Sequence, residues 1–380
     1  MSLYEIEDFL EKDLLKRILF LVSSMQGGGA ERTAAMLCNY WAERGDEVIL
    51  MPTFSGRGNC HYALHERIKL KFLADKINTK NKNLVSVVKR LFALREAFRE
   101  EKPDVVISFL TNVNVAGLLA SVGLSIPIVV SERSFPPVMP LPLHWKLLRR
   151  MTYGMAHKVV MQTDEGNSWL RACCRHARGE VIPNPVLHPI PRSEPFVEPY
   201  VKQNSKYKIT LTVGRLSEEK GFDLLIKAFV GFKLDFPNWH LVIVGEGNER
   251  LRLQQMISDN DMDNRIHLPG WVGNIGDWYE SADMFVLSSR YEGFPNALLE
   301  AMAYGLPAVS LDCSSGPRDI VRDEVDGLLV PPERGVNGLM QAMKRLMVDD
   351  LRRNKMGENA KLVRERFELS KVCRQWDALF

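Results

Sequence analysis

The chain has 380 residues, 46% of them hydrophobic and 26% charged, with a formal net charge of +3. That composition excludes a disordered or fibrous protein, and the length is enough for two domains with separate cores. No apolar run reaches the roughly 18 residues of a membrane span, and no basic segment followed by a short apolar one opens the chain, so the protein is read as cytoplasmic.

Residues 1–15 read as a short amphipathic leader. From residue 16 the chain alternates short apolar runs with longer helical patterns, the rhythm of parallel sheets wrapped by helices. Runs at 17–23, 47–52, 104–110, 126–131, 157–162 and 179–185 supply the strands of a first unit over 16–185. The stretch "IPNPVLHPIPRSEPFVEPYVKQNSK" holds six prolines, which suit neither a helix nor a central strand, so 186–206 is read as a linker. Runs at 207–214, 239–245, 264–270, 282–288, 306–311 and 326–332 repeat the rhythm in a second unit over 207–365, and 366–380 reads as a C-terminal helix returning toward the first. The expected fold is α/β, two doubly wound Rossmann-like domains facing across a cleft. The six cysteines, Cys38, Cys60, Cys173, Cys174, Cys313 and Cys373, have no metal-ligand or usual disulfide spacing and read as reduced thiols.

Ligands of open α/β sheets bind beyond the carboxyl ends of the strands, and the sequence marks four such places. The first is Gly27-Gly28-Gly29, where backbone N–H groups at a helix N-terminus suit an anion, although a steric turn explains such glycines equally well. It is a poor dinucleotide fingerprint, because the next strand run ends without an acid to hold a ribose. The second is "TVGRLSEEKG", where Arg215 offers a bidentate fork and Lys220 a point charge to a diphosphate. The third is the glycine turn at Gly245. The fourth is "SSRYEGFPNALLEAMAYGLPAVS", with Glu292 on a loop and, after seven intervening residues, Glu300 inside the apolar run "ALLEAMA". Pro295 sits where a helix can start, so the amides of Asn296, Ala297 and Leu298 are expected to face the ligand. A buried Glu300 needs partners, and sugar hydroxyls qualify.

Glu292 and Glu300 in this setting, with "GGGAER" and "VGRLSEEKG", resemble the E-x7-E signature set of the family 4 retaining glycosyltransferases, which have the two-domain GT-B fold. The resemblance covers almost the whole chain. It implies that Arg215 and Lys220 grip the donor's diphosphate, Glu300 holds the nucleotide ribose and Glu292 lies against the donor sugar. Arg215, Lys220 and Glu292 are thus the catalytic set, and Gly28, Gly29, Gly245, Gly293, Phe294, Pro295, Asn296, Ala297 and Glu300 the donor-binding set, with no metal and no cofactor beyond the nucleotide-sugar substrate. Leaving-group stabilisation is the implied mechanism. Many members carry a histidine after the strand matching 126–131, whereas this chain reads Ser131-Glu132-Arg133-Ser134, so Glu132 or Arg133 is assigned to the sugar's outer hydroxyls, a structural salt bridge being equally compatible.

The acceptor side is expected on the first domain. Residues 65–100 carry ten Lys and Arg against four acids, an excess of six where the whole chain has three. Leu84, Val87, Val88, Leu91 and Leu94 recur there at helical spacing, and 143–155 adds Trp145 beside Lys146, Arg149 and Arg150. Such helices suit an anionic membrane surface or a lipid diphosphate; core-facing helices with solvated backs have the same pattern. The sequence reading is therefore a bacterial-type retaining hexosyltransferase using a UDP-linked hexose or N-acetylhexosamine. Its partners are a nucleotide-sugar donor, a lipid-linked glycan acceptor and the cytoplasmic face of the inner membrane, with no nucleic acid. A soluble transferase for a small acceptor and a sugar-nucleotide epimerase of the same fold are the alternatives.

Overall fold

The computed structural model describes residues 15–54, 60–77, 84–199 and 206–380. The leader, except Leu15, and Lys80 and Lys82 of the basic segment lie outside them. The chain forms two compact units, one ending at Pro185 and completed by Leu369–Phe380, the other Val186–Glu368.

The first unit runs β1 (Arg17–Val22), α1 (Gly29–Arg44), β2 (Glu47–Pro52), β3 (Lys69–Leu70), α2 (Leu84–Glu101), β4 (Val105–Phe109), α3 (Thr111–Ala120), β5 (Ile128–Ser131), α4 (Leu143–Thr152), β6 (Lys158–Met161), α5 (Asp164–Cys173) and β7 (Gly179–Val181). Its strands lie parallel in the order β3-β2-β1-β4-β5-β6-β7, so the chain reverses direction across the sheet between β1 and β4. The inner strands β1, β2, β4, β5 and β6 are largely Val, Ile and Leu because both faces are covered, whereas the edge strands β3 and β7 are short and only partly buried. Ile18, Phe20 and Val22 join the core under α1, whereas Leu19 and Leu21 join the core under α2 to α5. The pattern reading of α2 needs one correction: Val87 and Val88 are exposed, whereas Leu94 of that pattern is buried and Ala97 and Phe98 continue its face against the sheet. The basic excess also shrinks. Lys69, Lys71 and Lys76 are paired with Glu47, Glu101 and Glu100, and two of those acids lie outside the 65–100 window.

The second unit runs β8 (Lys208–Val213), α6 (Phe222–Val230), β9 (Trp239–Val244), α7 (Arg250–Ser258), β10 (Ile266–Gly270), α8 (Ile275–Ser281), β11 (Met284–Leu287), α9 (Asn296–Ala303), β12 (Ala308–Leu311), α10 (Pro317–Ile320), β13 (Gly327–Val330), α11 (Gly335–Val348), α12 (Asp350–Ala360) and α13 (Val363–Arg366). All its strands are parallel, in the order β10-β9-β8-β11-β12-β13, and the reversal falls between β8 and β11. The proline-rich stretch read as a linker packs on this unit. Val186 and Ile190 enter its core, Ser193 and Pro195 bond the backbone of Gly273, and the indole of Trp278 donates to the Val197 carbonyl at 3.0 Å. Prolines suit that course because it needs no ladder of N–H donors.

The last helix, α14 (Leu369–Asp377), belongs to the first unit. It buries Val372, Cys373 and Trp376 in the core under α1, with Trp376 5.8 Å from the ring of Phe109. Asp377 accepts from the Trp41 indole at 2.8 Å and pairs with Arg44 at 2.6 Å. No described helix is long and apolar enough to cross a membrane.

Candidate functional site

In the second unit, the residues that follow β8 and β11 meet where the sheet reverses, the place at which open α/β sheets bind ligands. Arg215, just past β8, is exposed and makes no hydrogen bond or ion pair through its side chain among the described residues. Lys220 closes a helical turn, Glu218–Lys220. Gly221 follows at φ 63°, and a Cβ there would lie 2.1 Å from the Ser288 carbonyl, so only glycine lets the two loops come this close. The Ser288 hydroxyl then donates to the Lys220 carbonyl at 2.9 Å. Arg290 completes the clamp: its amide donates to the Glu219 carbonyl at 2.8 Å and its guanidinium to both Asp223 oxygens at 2.9 and 2.8 Å. Burial pushes the Asp223 carboxyl up, but the hydrogen bonds and charge of Arg290 outweigh it and hold it below its ordinary value.

This clamp brings Lys220 Nζ to 2.7 Å from Glu292 Oε1, and the Ser289 hydroxyl donates to the same oxygen at 2.7 Å. The expected separation of roles, Lys220 on phosphate and Glu292 on sugar, therefore starts from an ion pair between the two, with Arg215 the cation left open. Burial, reinforced by the Glu292 charge, pushes the nearby Cys313 thiol up to about 12 and keeps it neutral. Glu300 is buried on α9 and accepts from the Tyr279 hydroxyl at 3.2 Å. The Gly293 carbonyl accepts from the Ser315 hydroxyl at 3.1 Å, and Phe294 packs edge-on to Phe367. Pro295 caps α9, and Asn296 and Ala297 open it. Leu298 differs from expectation, because the helix itself takes its amide: it donates to the Pro295 carbonyl at 3.1 Å. Gly245 sits at φ 140°, its amide bonded to the Gly270 carbonyl, and a Cβ there would lie 1.9 Å from the Gly214 carbonyl. Its role is thus to seat the Arg215 loop. Ser289, Ser315, Tyr279 and the Arg290–Asp223 pair had no signal in the sequence beyond nearness to Glu292 and Lys220.

The other site candidates lie in the first unit. The Gly28 amide donates to the Tyr62 hydroxyl at 3.0 Å, and that hydroxyl donates back to the Gly28 carbonyl at 2.9 Å. Gly29 opens α1, and the Glu31 carboxylate in its first turn folds back over Gly28, so the helix N-terminus already has a negative group. Glu132 is buried, accepting from Thr111 at 2.8 and 2.9 Å, Tyr153 at 2.6 Å and Arg149 at 3.4 Å. These partners are what a buried carboxylate requires, and they account for Glu132 by the structural salt bridge that the sequence left open. Arg133 stacks 4.2 Å over the Phe109 ring and donates to the Ser131 hydroxyl and the Asn184 side-chain carbonyl. It has no acidic partner among the described residues, and burial pulls it down to about 9.

Two parallel α/β units, each reversing at its centre, define the class: this is a glycosyltransferase of the GT-B fold. The family model described as Glycosyltransferase Family 4 matches residues 27–187, and that described as Glycosyl transferases group 1 matches 197–363. The chain belongs to the family 4 glycosyltransferases. It is 28% identical over 364 residues to the GalNAc-α-(1→4)-GalNAc-α-(1→3)-diNAcBac-PP-undecaprenol α-1,4-N-acetyl-D-galactosaminyltransferase of Campylobacter jejuni, covering 95% of this chain and 97% of that one. It is 25% identical to the amylovoran biosynthesis glycosyltransferase of Erwinia amylovora, over 89% of this chain and 92% of the relative. Among solved structures, an Anabaena protein in complex with UDP and glucose superposes with a TM-score of 0.80 at 20% identity, covering 96% and 98% of the two chains.

Proposed function

We propose that this chain is a retaining, metal-independent hexosyltransferase that moves a hexose or N-acetylhexosamine from a UDP-sugar to a lipid-linked glycan during cell-surface polysaccharide synthesis, working on the cytoplasmic face of a membrane. The observation that carries the reading is the cationic pair at the reversal of the second sheet: Arg215 open and Lys220 held beside Glu292. A departing nucleoside diphosphate develops negative charge, and these cations with the start of α9 lower its energy. Buried Glu300, fixed by Tyr279, suits a vicinal diol such as a ribose. Glu292 then turns from Lys220 toward the sugar as the diphosphate takes its place. The lipid-linked acceptor is supported by the undecaprenol-linked glycan in the name of the Campylobacter relative. Peripheral attachment to the membrane is supported by α4, whose outward Leu143, Leu147 and Met151 are exposed beside Lys146 and Arg150.

The test is incubation with a panel of labelled UDP-sugars, with and without undecaprenyl-diphosphate-linked glycans, following UDP release and the anomeric configuration of the product. UDP release that depends on the lipid-linked acceptor, with the donor's configuration retained, is the expected result. Transfer only to a water-soluble acceptor, or an inverted product, refutes it.

A further inference from the structure

Glu300 stands in the apolar run of α9, 7% exposed, at the end of a side chain with several rotatable bonds. A carboxylate that takes two neighbouring hydroxyls must present both oxygens in one orientation, and the ligand binds more tightly when those bonds are fixed before it arrives. Tyr279, on α8, is placed to fix them. Its hydroxyl lies 3.2 Å from Glu300 Oε2 and 3.4 Å from the Ala297 carbonyl, and its single proton goes to the nearer, charged oxygen. The Tyr279 ring is itself fully buried, against Tyr304 at 5.4 Å and Phe285 at 6.3 Å.

Tyr304 carries the line outward. It follows Glu300 by one turn at the end of α9, and its hydroxyl accepts from the Ile190 amide at 2.9 Å. The His188 ring packs edge-on to it at 4.6 Å. Burial and the Arg364 charge hold that imidazole below its ordinary value, so it stays neutral and accepts from Arg364 at 3.0 Å, while Arg364 also donates to the Ala303 carbonyl at 2.6 Å. Gly276 makes room on the other side, since a Cβ there would lie 2.6 Å from the Tyr304 hydroxyl. Phenylalanine would fill the same space at both positions, so what the two hydroxyls add is direction. The proline-rich stretch read from the sequence as a linker is thereby tied, through Ile190, Tyr304 and Tyr279, to the Glu300 carboxylate.

We propose that Tyr279 and Tyr304 are positioning residues for the donor's ribose, and that by orienting Glu300 toward both hydroxyls of the diol they make the enzyme select ribonucleotide donors and refuse those built on 2′-deoxyribose. The proposal rests on the ribose reading of Glu300 above and deepens it from a contact to a source of specificity.

Calorimetric titration of the full chain with UDP and with 2′-deoxy-UDP tests it without any choice of sugar or acceptor. The wild type binds UDP roughly tenfold to a hundredfold more tightly, the worth of one hydrogen bond to a charged group. Tyr279→Phe cuts that preference to about threefold or less, through weaker UDP binding with 2′-deoxy-UDP little changed, and Tyr304→Phe and Gly276→Ala each cut it by about threefold. A purely structural role predicts something else: a lower melting temperature, or both nucleotides weakened alike, with the preference kept. That result overturns the positioning role. Should Tyr279→Phe melt early, Tyr304→Phe, one ring further from the carboxylate, decides by the same ratio. Glu300→Gln separates the two levels of the argument. If it abolishes the preference while both tyrosine variants keep it, the ribose reading stands and the positioning role falls; a wild type that binds the two nucleotides equally overturns both.

Discussion

Arg215 and Lys220 carry the same charge in different surroundings, and that difference can be measured. Arg215 is exposed and makes no side-chain hydrogen bond or ion pair among the described residues, so Arg215→Ala leaves the melting temperature nearly unchanged while turnover falls roughly tenfold to a thousandfold. Lys220→Ala costs similar activity, but it also strands the largely buried Glu292 carboxylate and lowers stability by about 1–3 kcal/mol. Adding Glu292→Gln to Lys220→Ala recovers most of that stability and none of the turnover. Identical melting curves for the two single variants would remove the ion pair from the account. The two carboxylates separate in a second way. Glu300→Gln keeps the contact with the Tyr279 hydroxyl yet loses a charged acceptor for the ribose, so the KM for donor rises with kcat little changed, whereas Glu292→Gln lowers kcat. Donor titrations with no weakening for Glu300→Gln refute the ribose role.

The elements that hold these residues are the loop after β11 and the start of α6, joined by the Arg290–Asp223 pair, and the joint is pH-sensitive. Asp223 titrates below its ordinary value of 3.8, so its stabilisation is complete above about that pH and is lost as pH falls through the lower, folded-state value. Asp223→Asn is therefore less stable than wild type at neutral pH, and the two melting temperatures converge on acidification below pH 3.8. A constant gap across that range rules the pair out as the source. Much at this scale was legible in the sequence. All twelve strand runs form, most of them because runs of Val, Ile and Leu buried on both faces leave few alternatives, and the places where Arg215, Lys220, Glu292 and Glu300 emerge follow from them. The two-residue β3 carries no pattern that could announce it. Partnership was the illegible part. Whether a lysine is open or paired, or whether Glu132 faces a ligand or Tyr153, depends on which loops touch, and no spacing in the sequence records that.

At the scale of the whole molecule the first unit is assembled from two stretches of chain separated by the entire second unit. Trp376 is the test of how much the later stretch contributes, since it is fully buried against Phe109. Trp376→Ala removes that ring at a cost of about 3–5 kcal/mol. Hydrogen exchange should accelerate in β1 and α1 while β8 and β11 keep their protection; equal acceleration in both units would mean that the two unfold together.

The same arrangement dictates an order of events during synthesis. A ribosome releases residues 186–368 before it releases α14, so the second unit has all of its own strands while the first still lacks Val372, Cys373 and Trp376. Until those side chains arrive, Phe20, Trp41 and Phe109 line a face with its cover missing, and the nascent first unit stays adhesive until α14 has followed the second unit. Products truncated before Leu369 should therefore be captured by chaperones or aggregate through the first unit, although the second unit is whole.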